Sequence, residues 1–280
     1  MAFIMKGTDV AQAKKQGIIK RVEALKERGV SPALCIIMVG DREDSHAYVN
    51  GATKALAGCG IGCHLAHYPE DISQHRLLEE IEDVNQNPEY HGIIVMRPVP
   101  SAIRWEAVEE TISPAKDVDC ITAQNLAGVF KGDTDVFYPC TAKAVIDMLD
   151  HYGVNAEGKK AVVIGRSLVV GKPLAMMLLQ RNATVTICHS RTRDLAEISS
   201  QADILVAAAG TPGLVGPDFV NENSIVLDVG INMVEGKLKG DVDFERVAPL
   251  VSMISPVPGG VGSVTTSVLM ENIVTAAEKK

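Results

Sequence analysis

Short apolar runs alternate with stretches whose apolar positions recur at three- and four-residue intervals, and this rhythm holds over most of the 280 residues. It predicts strands buried on both faces, each followed by an amphipathic helix, which means an α/β protein with parallel sheets. In the first half the pattern predicts a helix over Val10 to Arg28, a strand over Ala33 to Val39 and a helix carrying Tyr48. A strand over Gly62 to His67, a helix over Gln74 to Asn85 and a strand over Gly92 to Val95 follow. Pro139-Cys140-Thr141 interrupts the series, and a helix from Ala142 to Tyr152 bridges to a second run of strands. Those strands are expected at Lys160 to Ile164, Ala183 to Cys188, Ile204 to Ala208, Ser224 to Val229 and Val251 to Ile254. The last helix, about Thr265 to Glu278, is expected to return to the first domain, leaving a cleft between the two. The expected division is residues 1–140 with 263–280 as an N-terminal α/β domain, and 141–262 as a Rossmann-type dinucleotide-binding domain.

Composition narrows the function classes. A hydrophobic fraction of 46% with 22% charged residues suits a globular protein with ordinary cores. The net charge of -8 and the dispersed Lys and Arg argue against a nucleic-acid partner, whose phosphates need clustered cations. No apolar run reaches the roughly 18 residues of a membrane span, and no signal-peptide pattern opens the chain, so a cytoplasmic location without membrane contact is expected. The six cysteines lie scattered in apolar or loop contexts, which favours reduced thiols over a disulfide framework. Cys59, Cys63, His64 and His67 form the one tempting ligand cluster, but they straddle a helix-to-strand junction without a second ligand pair at zinc spacing, so no metal is expected.

The segment from Gly165 to Pro173, with Arg166 and Ser167, follows the first strand of the second domain and opens a helix, where a Rossmann fold places its phosphate loop. It is not a G-x-G-x-x-G match. Backbone amides at a helix start can nevertheless hold pyrophosphate, and Arg166 can add charge-assisted hydrogen bonds. At the end of the next strand, Cys188-His189-Ser190-Arg191-Thr192 lacks the acid that grips ribose hydroxyls in NAD-specific folds. Ser190 and Arg191 suit a 2′-phosphate instead, favouring NADP over NAD, with a solvated surface loop as the lesser alternative for Arg191. Gly210, in Ala209-Gly210-Thr211-Pro212, and Ile231, in Asp228-Val229-Gly230-Ile231-Asn232, end later strands and are placed to frame a nicotinamide.

In the helix from Asp44 to Lys54, residues four apart differ by roughly 40° in heading, whereas residues six apart differ by roughly 240°. Tyr48 and Ala52 therefore share a face, and Lys54 points away from it. Taken alone, this segment reads better as a surface Tyr beside a solvated Lys.

Together with Val39-Gly40, Ser45 and Tyr48, Lys116-Asp117-Val118-Asp119, Pro139-Cys140-Thr141, Gly165-Arg166-Ser167, Val170-Gly171, Cys188-His189-Ser190, Asp228 to Asn232 and Pro256 to Gly262, the chain resembles the methylenetetrahydrofolate dehydrogenase/cyclohydrolases over nearly its whole length. The resemblance implies a tetrahydrofolate substrate, with 5,10-methylenetetrahydrofolate oxidised to the methenyl form as NADP is reduced, often followed by hydrolysis to 10-formyltetrahydrofolate. It implies that Tyr48 stacks on the folate, that Asp119 bonds the pterin, and that Pro258, Gly259 and Gly260 let the backbone approach the ligand. It also implies a homodimer.

The same resemblance exposes departures. The family's catalytic Lys, four residues after the Tyr, is Ala52 here, and its partner Gln in a Val-Gln-Leu-Pro segment is Met96 in Val95-Met96-Arg97-Pro98. Cys120 stands where the family has Gly, and Ala142 and Ser263 where it has Pro. Hydride transfer depends chiefly on positioning, whereas hydrolysis also needs a proton moved, a contribution of about 10²–10⁴-fold. The favoured reading is an NADP-dependent dehydrogenase with weak or absent cyclohydrolase activity. Three alternatives stay open: a bifunctional enzyme using Lys54 or Arg97, a silent folate- or nucleotide-binding protein, and a dehydrogenase of another one-carbon substrate.

Overall fold

The computed structural model describes residues 2–279. In chain order it runs β1 (Phe3–Ile4), α1 (Gly7–Glu27), β2 (Ala33–Val39), α2 (Glu43–Ala57), β3 (Gly62–Tyr68), α3 (Gln74–Gln86), β4 (Gly92–Val95), α4 (Trp105–Thr111) and α5 (Ala123–Lys131). It continues through α6 (Cys140–His151), β5 (Lys160–Ile164), α7 (Gly171–Gln180), β6 (Thr184–Cys188), α8 (Leu195–Ser200), β7 (Ile204–Ala207) and β8 (Ile225–Asp228). A hairpin, β9 (Asn232–Val234) with β10 (Lys237–Lys239), precedes α9 (Phe244–Val247), β11 (Met253–Ile254) and α10 (Val261–Glu278). The helix and strand alternation is that of the α/β class expected from the pattern. Among the described residues no helix is long and apolar enough to cross a membrane.

The chain forms two compact units. One comprises Lys14–Gly128, Asp135–Tyr138 and the chain from Leu269 onward. Its parallel sheet has the order β3-β2-β4, and the central strand is buried from Leu34 to Val39. Cys35, Ile37, Val39, Ile93 and Val95 present one sheet face to Leu77, Ile81 and Val84, which recur along α3 at the spacing of one helical stripe. Ser73 starts α3 by accepting the Arg76 amide at 3.2 Å. Within this unit α10 is tied to α1 by Lys14–Glu271 and Arg21–Glu278 ion pairs, each at 2.6 Å.

The other unit comprises the chain up to Ala13, Val129–Thr134 and Pro139–Val268. Its six strands pair in parallel in the order β1-β11-β8-β7-β5-β6. Val162, Ile164, Leu205, Ala207 and Val226 carry its core.

Several boundaries differ from those read from the sequence. The first residues belong with the second unit because β1 pairs with β11, Phe3 opposite Met253, and two residues are too short to show a strand pattern. Residues 129–134 group with the second unit as well, and 135–138 with the first. Helix α6 begins at Cys140 with Pro139 at its N-cap, and α10 takes in Gly262 and Ser263, where the glycine-rich composition suggests loop. Helices α4 and α8 span two turns or fewer, below what apolar periodicity can register, and α5 was also unforeseen. The β9–β10 hairpin escaped notice because its side chains are largely exposed; Glu235 at φ 51 and Gly236 at φ 76 make its two-residue turn.

Candidate active site

In the second unit, β5 stops at Ile164 because the chain must turn sharply at Gly165, whose φ of 139 suits glycine. A Cβ there would lie 2.9 Å from the Ala208 carbonyl carbon and nearer still to its oxygen. One at Gly171, the first residue of α7, would lie 2.8 Å from the Arg166 amide nitrogen and nearer still to the Gly165 carbonyl. The loop is therefore folded back on its own helix start, with space only for hydrogen at both glycines. Ser167 Oγ accepts the Val170 amide at 3.1 Å, and its carbonyl accepts the Lys172 amide at 3.1 Å, so Ser167 shapes the helix entry itself.

A cavity of about 430 Å³ opens above these strand ends, with Gly165, Arg166, Ser167, His189, Ser190 and Thr192 on its wall. The second-strand turn that carries Ser190 is held by the His189 amide donating to Thr192 Oγ1 at 2.9 Å and the Arg191 amide donating to His189 Nδ1 at 3.2 Å. Arg191 itself is exposed in that turn. The opposite rim is Ala208, Ala209 and Thr211, and the intervening Gly210 donates its amide to Asp241.

A second cavity in the same unit, about 230 Å³, is lined by Asp228, Gly230, Ile231, Pro258, Gly259 and Gly260. Ile231, expected beside a nicotinamide, is 64% exposed and shares this cavity with the proline and glycines expected beside folate. Gly259 has φ 91, a conformation that Gly adopts freely. Beneath the cavity Asp228 is buried and accepts the amides of Gly230, Asp241 and Val242, each at 2.9 Å. Burial pushes its carboxyl up to about 6, against the pull of those three donors.

In the first unit Tyr48 is 45% exposed on α2, beside the buried stripe Ser45, Val49, Ala52 and Leu56. Ala52 thus faces the interior, while Lys54 is exposed on another side of the helix. Met96 is half-buried where β4 ends, its amide donating to Ile37 of β2, and the Arg97 guanidinium lies 5.0 Å over the Trp105 ring. Asp119 is half-buried in the loop between α4 and α5. Its neighbour Asp117 is buried and organises that loop, accepting the Ile121 and Thr122 amides at 2.9 Å, Thr122 Oγ1 at 2.7 Å and Asn125 Nδ2 at 2.9 Å. Burial raises the Asp117 carboxyl, and the same donors oppose the rise. Cys120 has φ 58, the left-handed conformation in which glycine is at ease and a Cβ is strained.

The candidate cluster Cys59, Cys63, His64 and His67 is divided among separate partners. Cys59 Sγ meets Met270 Sδ at 3.5 Å, Cys63 accepts from Thr53 at 3.4 Å, His64 stacks on Tyr90 and His67 lies 3.0 Å from the Gly40 carbonyl. All six cysteines are free thiols.

The tetrahydrofolate dehydrogenase/cyclohydrolase catalytic domain matches residues 5–119, and the NAD(P)-binding domain of the same proteins matches residues 139–280. The bifunctional protein FolD of Alkaliphilus oremlandii is 47% identical over 277 residues, covering 99% of this chain and 97% of its own. The chain belongs to the FolD family of tetrahydrofolate dehydrogenase/cyclohydrolases. Among solved structures, the bifunctional FolD of Campylobacter jejuni superposes with a TM-score of 0.98 at 40% identity, covering 100% of this chain and 99% of that one. That of Trypanosoma brucei, solved with NADP cofactor and inhibitor, superposes at 0.93 with 36% identity over 99% of this chain and 98% of that one.

FolD membership gives the two units their character, a catalytic folate domain and an NAD(P)-binding domain. Of the residues singled out from the sequence, Gly165, Arg166, Ser167 and Ser190 come together at one cavity, and Ile231, Pro258, Gly259 and Gly260 at another. Tyr48 and Asp119 fall in the folate domain. Sequence reasoning missed Asp117, Asp228 as a carboxylate, and Asp241. The signal available for Asp228 and Asp241 was the pair of glycines, Gly230 and Gly240, at which a side chain would meet those carboxylates.

Proposed function

We propose that this FolD-family chain oxidises 5,10-methylenetetrahydrofolate to the methenyl form with NADP and hydrolyses the product, the pair of activities named for its relatives. The observation that carries the nucleotide half is the turn from Gly165 to Gly171, folded so tightly that a Cβ at either glycine would collide with backbone. This brings the loop to the start of α7 at the wall of the 430 Å³ cavity, where backbone amides can meet phosphate. NADP supplies the hydride acceptor. The chain supplies the backbone amides of the α7 start and Arg166 for the pyrophosphate, Ser190 and Arg191 for the 2′-phosphate, and Gly210 and Ile231 beside the nicotinamide. Tyr48, Asp119, Pro258, Gly259 and Gly260 are assigned to folate, by stacking, a hydrogen bond to the pterin, and close backbone approach. The working form is proposed to be a cytoplasmic homodimer.

The bifunctional reading replaces the narrower one favoured from the sequence, since the relatives of high identity are named bifunctional and the FolD of Campylobacter jejuni is named for both the dehydrogenase and the cyclohydrolase. One observation sustains the narrower reading as a second. Position 52 holds a buried Ala and position 96 a Met, so neither of these sites offers a side chain that can carry a proton. In that second reading the chain is a dehydrogenase that hydrolyses slowly. Lys54, exposed on another side of α2, does not replace the amine.

One assay separates the readings. Methylenetetrahydrofolate is mixed with NADP or NAD, and methenyl absorbance is followed as it forms and decays. Decay faster than the spontaneous rate establishes the bifunctional enzyme. Methenyl that accumulates and decays at the spontaneous rate establishes the second reading, and absence of methenyl with either nucleotide removes the dehydrogenase altogether.

A further inference from the structure

We propose that Asp241 is a positioning residue that holds the two candidate-site cavities described above in register. The proposal rests on the dehydrogenase reading for its consequence, and on hydrogen bonds for its substance. Strands β7 and β8 pair as far as Ala207 opposite Asp228. Beyond that point the two loops leave the ladder, one forming a rim of the larger cavity and the other lining the smaller. Asp241, fully buried, joins them: Oδ2 accepts the Ala209 amide at 2.6 Å and the Gly210 amide at 2.8 Å, and Oδ1 accepts Asn232 Nδ2 at 2.9 Å.

The clamp is itself anchored from below. The amides of Asp241 and Val242 donate to the Asp228 carboxylate at 2.9 Å, and Asp228 in turn bonds Ser255 through its own amide at 2.8 Å. The Val215 amide adds a bond to the Asp241 carbonyl at 2.9 Å. Space has been cleared for the carboxylate, since a Cβ at Gly230 would lie 2.6 Å from the Asp241 nitrogen and nearer still to the carboxyl group. A group that only filled volume would need neither the charge nor the cleared approach. Three donors, two from the loop after β7 and one from the start of β9, converge on one carboxylate, and charge-assisted bonds of this kind are short and directional.

The chemistry of Asn232 offers a test that separates positioning from bulk stability. In Asp241→Asn, the new amide oxygen can keep the Ala209 and Gly210 donors if Asn232 turns its own oxygen toward the new NH₂. The exchange Asp241→Asn with Asn232→Asp restores a carboxylate to the same contact from the other side. Asp241→Ala removes every bond to the carboxylate and leaves those of the Asp241 backbone. Three readouts are taken on the whole protein: melting temperature, hydrogen exchange of the Ala209 and Gly210 amides with NADP titration, and steady-state oxidation of methylenetetrahydrofolate. Asp241→Ala is expected to speed exchange at both amides at least tenfold and to lower kcat about 100-fold with the folate KM unchanged, as a misplacement near 1 Å would. Asp241→Asn should lose less than tenfold, and the exchange variant should recover most of that loss.

A folded Asp241→Ala with amide exchange and kcat within twofold of wild type overturns the proposal. If that variant does not fold, an exchange variant no better than Asp241→Asn alone overturns it. Should the wild type show no dehydrogenase activity, the functional reading fails, while amide exchange and NADP titration still decide the role of Asp241.

Discussion

Gly171→Ala is the most direct perturbation of the proposed nucleotide cradle. The added Cβ would sit 2.8 Å from the Arg166 nitrogen and nearer still to the Gly165 carbonyl. Comfortable separations between heavy atoms begin at about 3.5 Å, so the loop must retreat by roughly 0.7 Å from the first contact and further from the second. Neither atom belongs to a flexible side chain, so the displacement falls on the backbone of Gly165 and Arg166 and on the start of α7. A shift near 1 Å in a positioned group costs on the order of 100-fold, or about 2.7 kcal/mol. NADP affinity, measured by calorimetric titration, should weaken by that factor, and the effect should extend to 2′,5′-ADP, which lacks the nicotinamide. Gly17→Ala in α1 is the matched control: no atom lies within 4 Å of the new methyl, and a helix interior gains about 0.5–1 kcal/mol from the exchange. A Gly171→Ala protein that folds and binds NADP within threefold of wild type refutes the reasoning.

Three further outcomes follow from the same geometry. Arg191→Ala should reduce the preference for NADP over NAD about tenfold or more, because a charged hydrogen bond to a phosphate contributes about 1.5–3 kcal/mol; an unchanged ratio of kcat/KM values refutes its role. Ala52→Lys with Met96→Gln should raise methenyl hydrolysis by about 10²–10⁴-fold if proton handling is what this chain lacks, and no gain would count against the second reading. Asp228, raised to about 6 by burial, binds its proton more tightly folded than unfolded, so its contribution to stability is full below the ordinary carboxylate range and is lost as pH rises through about 6. Displacement that far from the ordinary aspartate value of about 4 is worth at most about 3 kcal/mol. Urea unfolding of wild type and Asp228→Asn from pH 4.5 to 7.5 should show the wild-type advantage shrinking with pH, and a constant difference refutes it.

Much of the fold was legible because buried parallel strands write themselves as apolar runs. Ala33–Val39, Gly92–Val95 and Lys160–Ile164 have the limits the pattern predicted. What escaped was short or partnered at a distance. Strand β1 exists only because β11 lies beside it, and α8 is too brief to show a period. At the candidate site the tight turn from Gly165 to Gly171, proposed to hold phosphate, was legible from its place between a strand and a helix, although its motif is degenerate. Asp241 was not, because its partners lie 9, 31 and 32 residues away along the chain.

The sequence by itself determined the α/β class, the strands of both sheets that carry most of the core, the family, and the identity of the residues at positions 52 and 96. Local patterns suffice there, since burial period and residue type are properties of a segment. The tertiary structure alone decided that Gly165 and Gly171 face backbone atoms instead of open space, that Ile231 shares a cavity with Pro258, and that Asp228 and Asp241 converge from different loops. These depend on which atoms meet across the fold, and close approach between distant segments leaves no period in the chain that makes it.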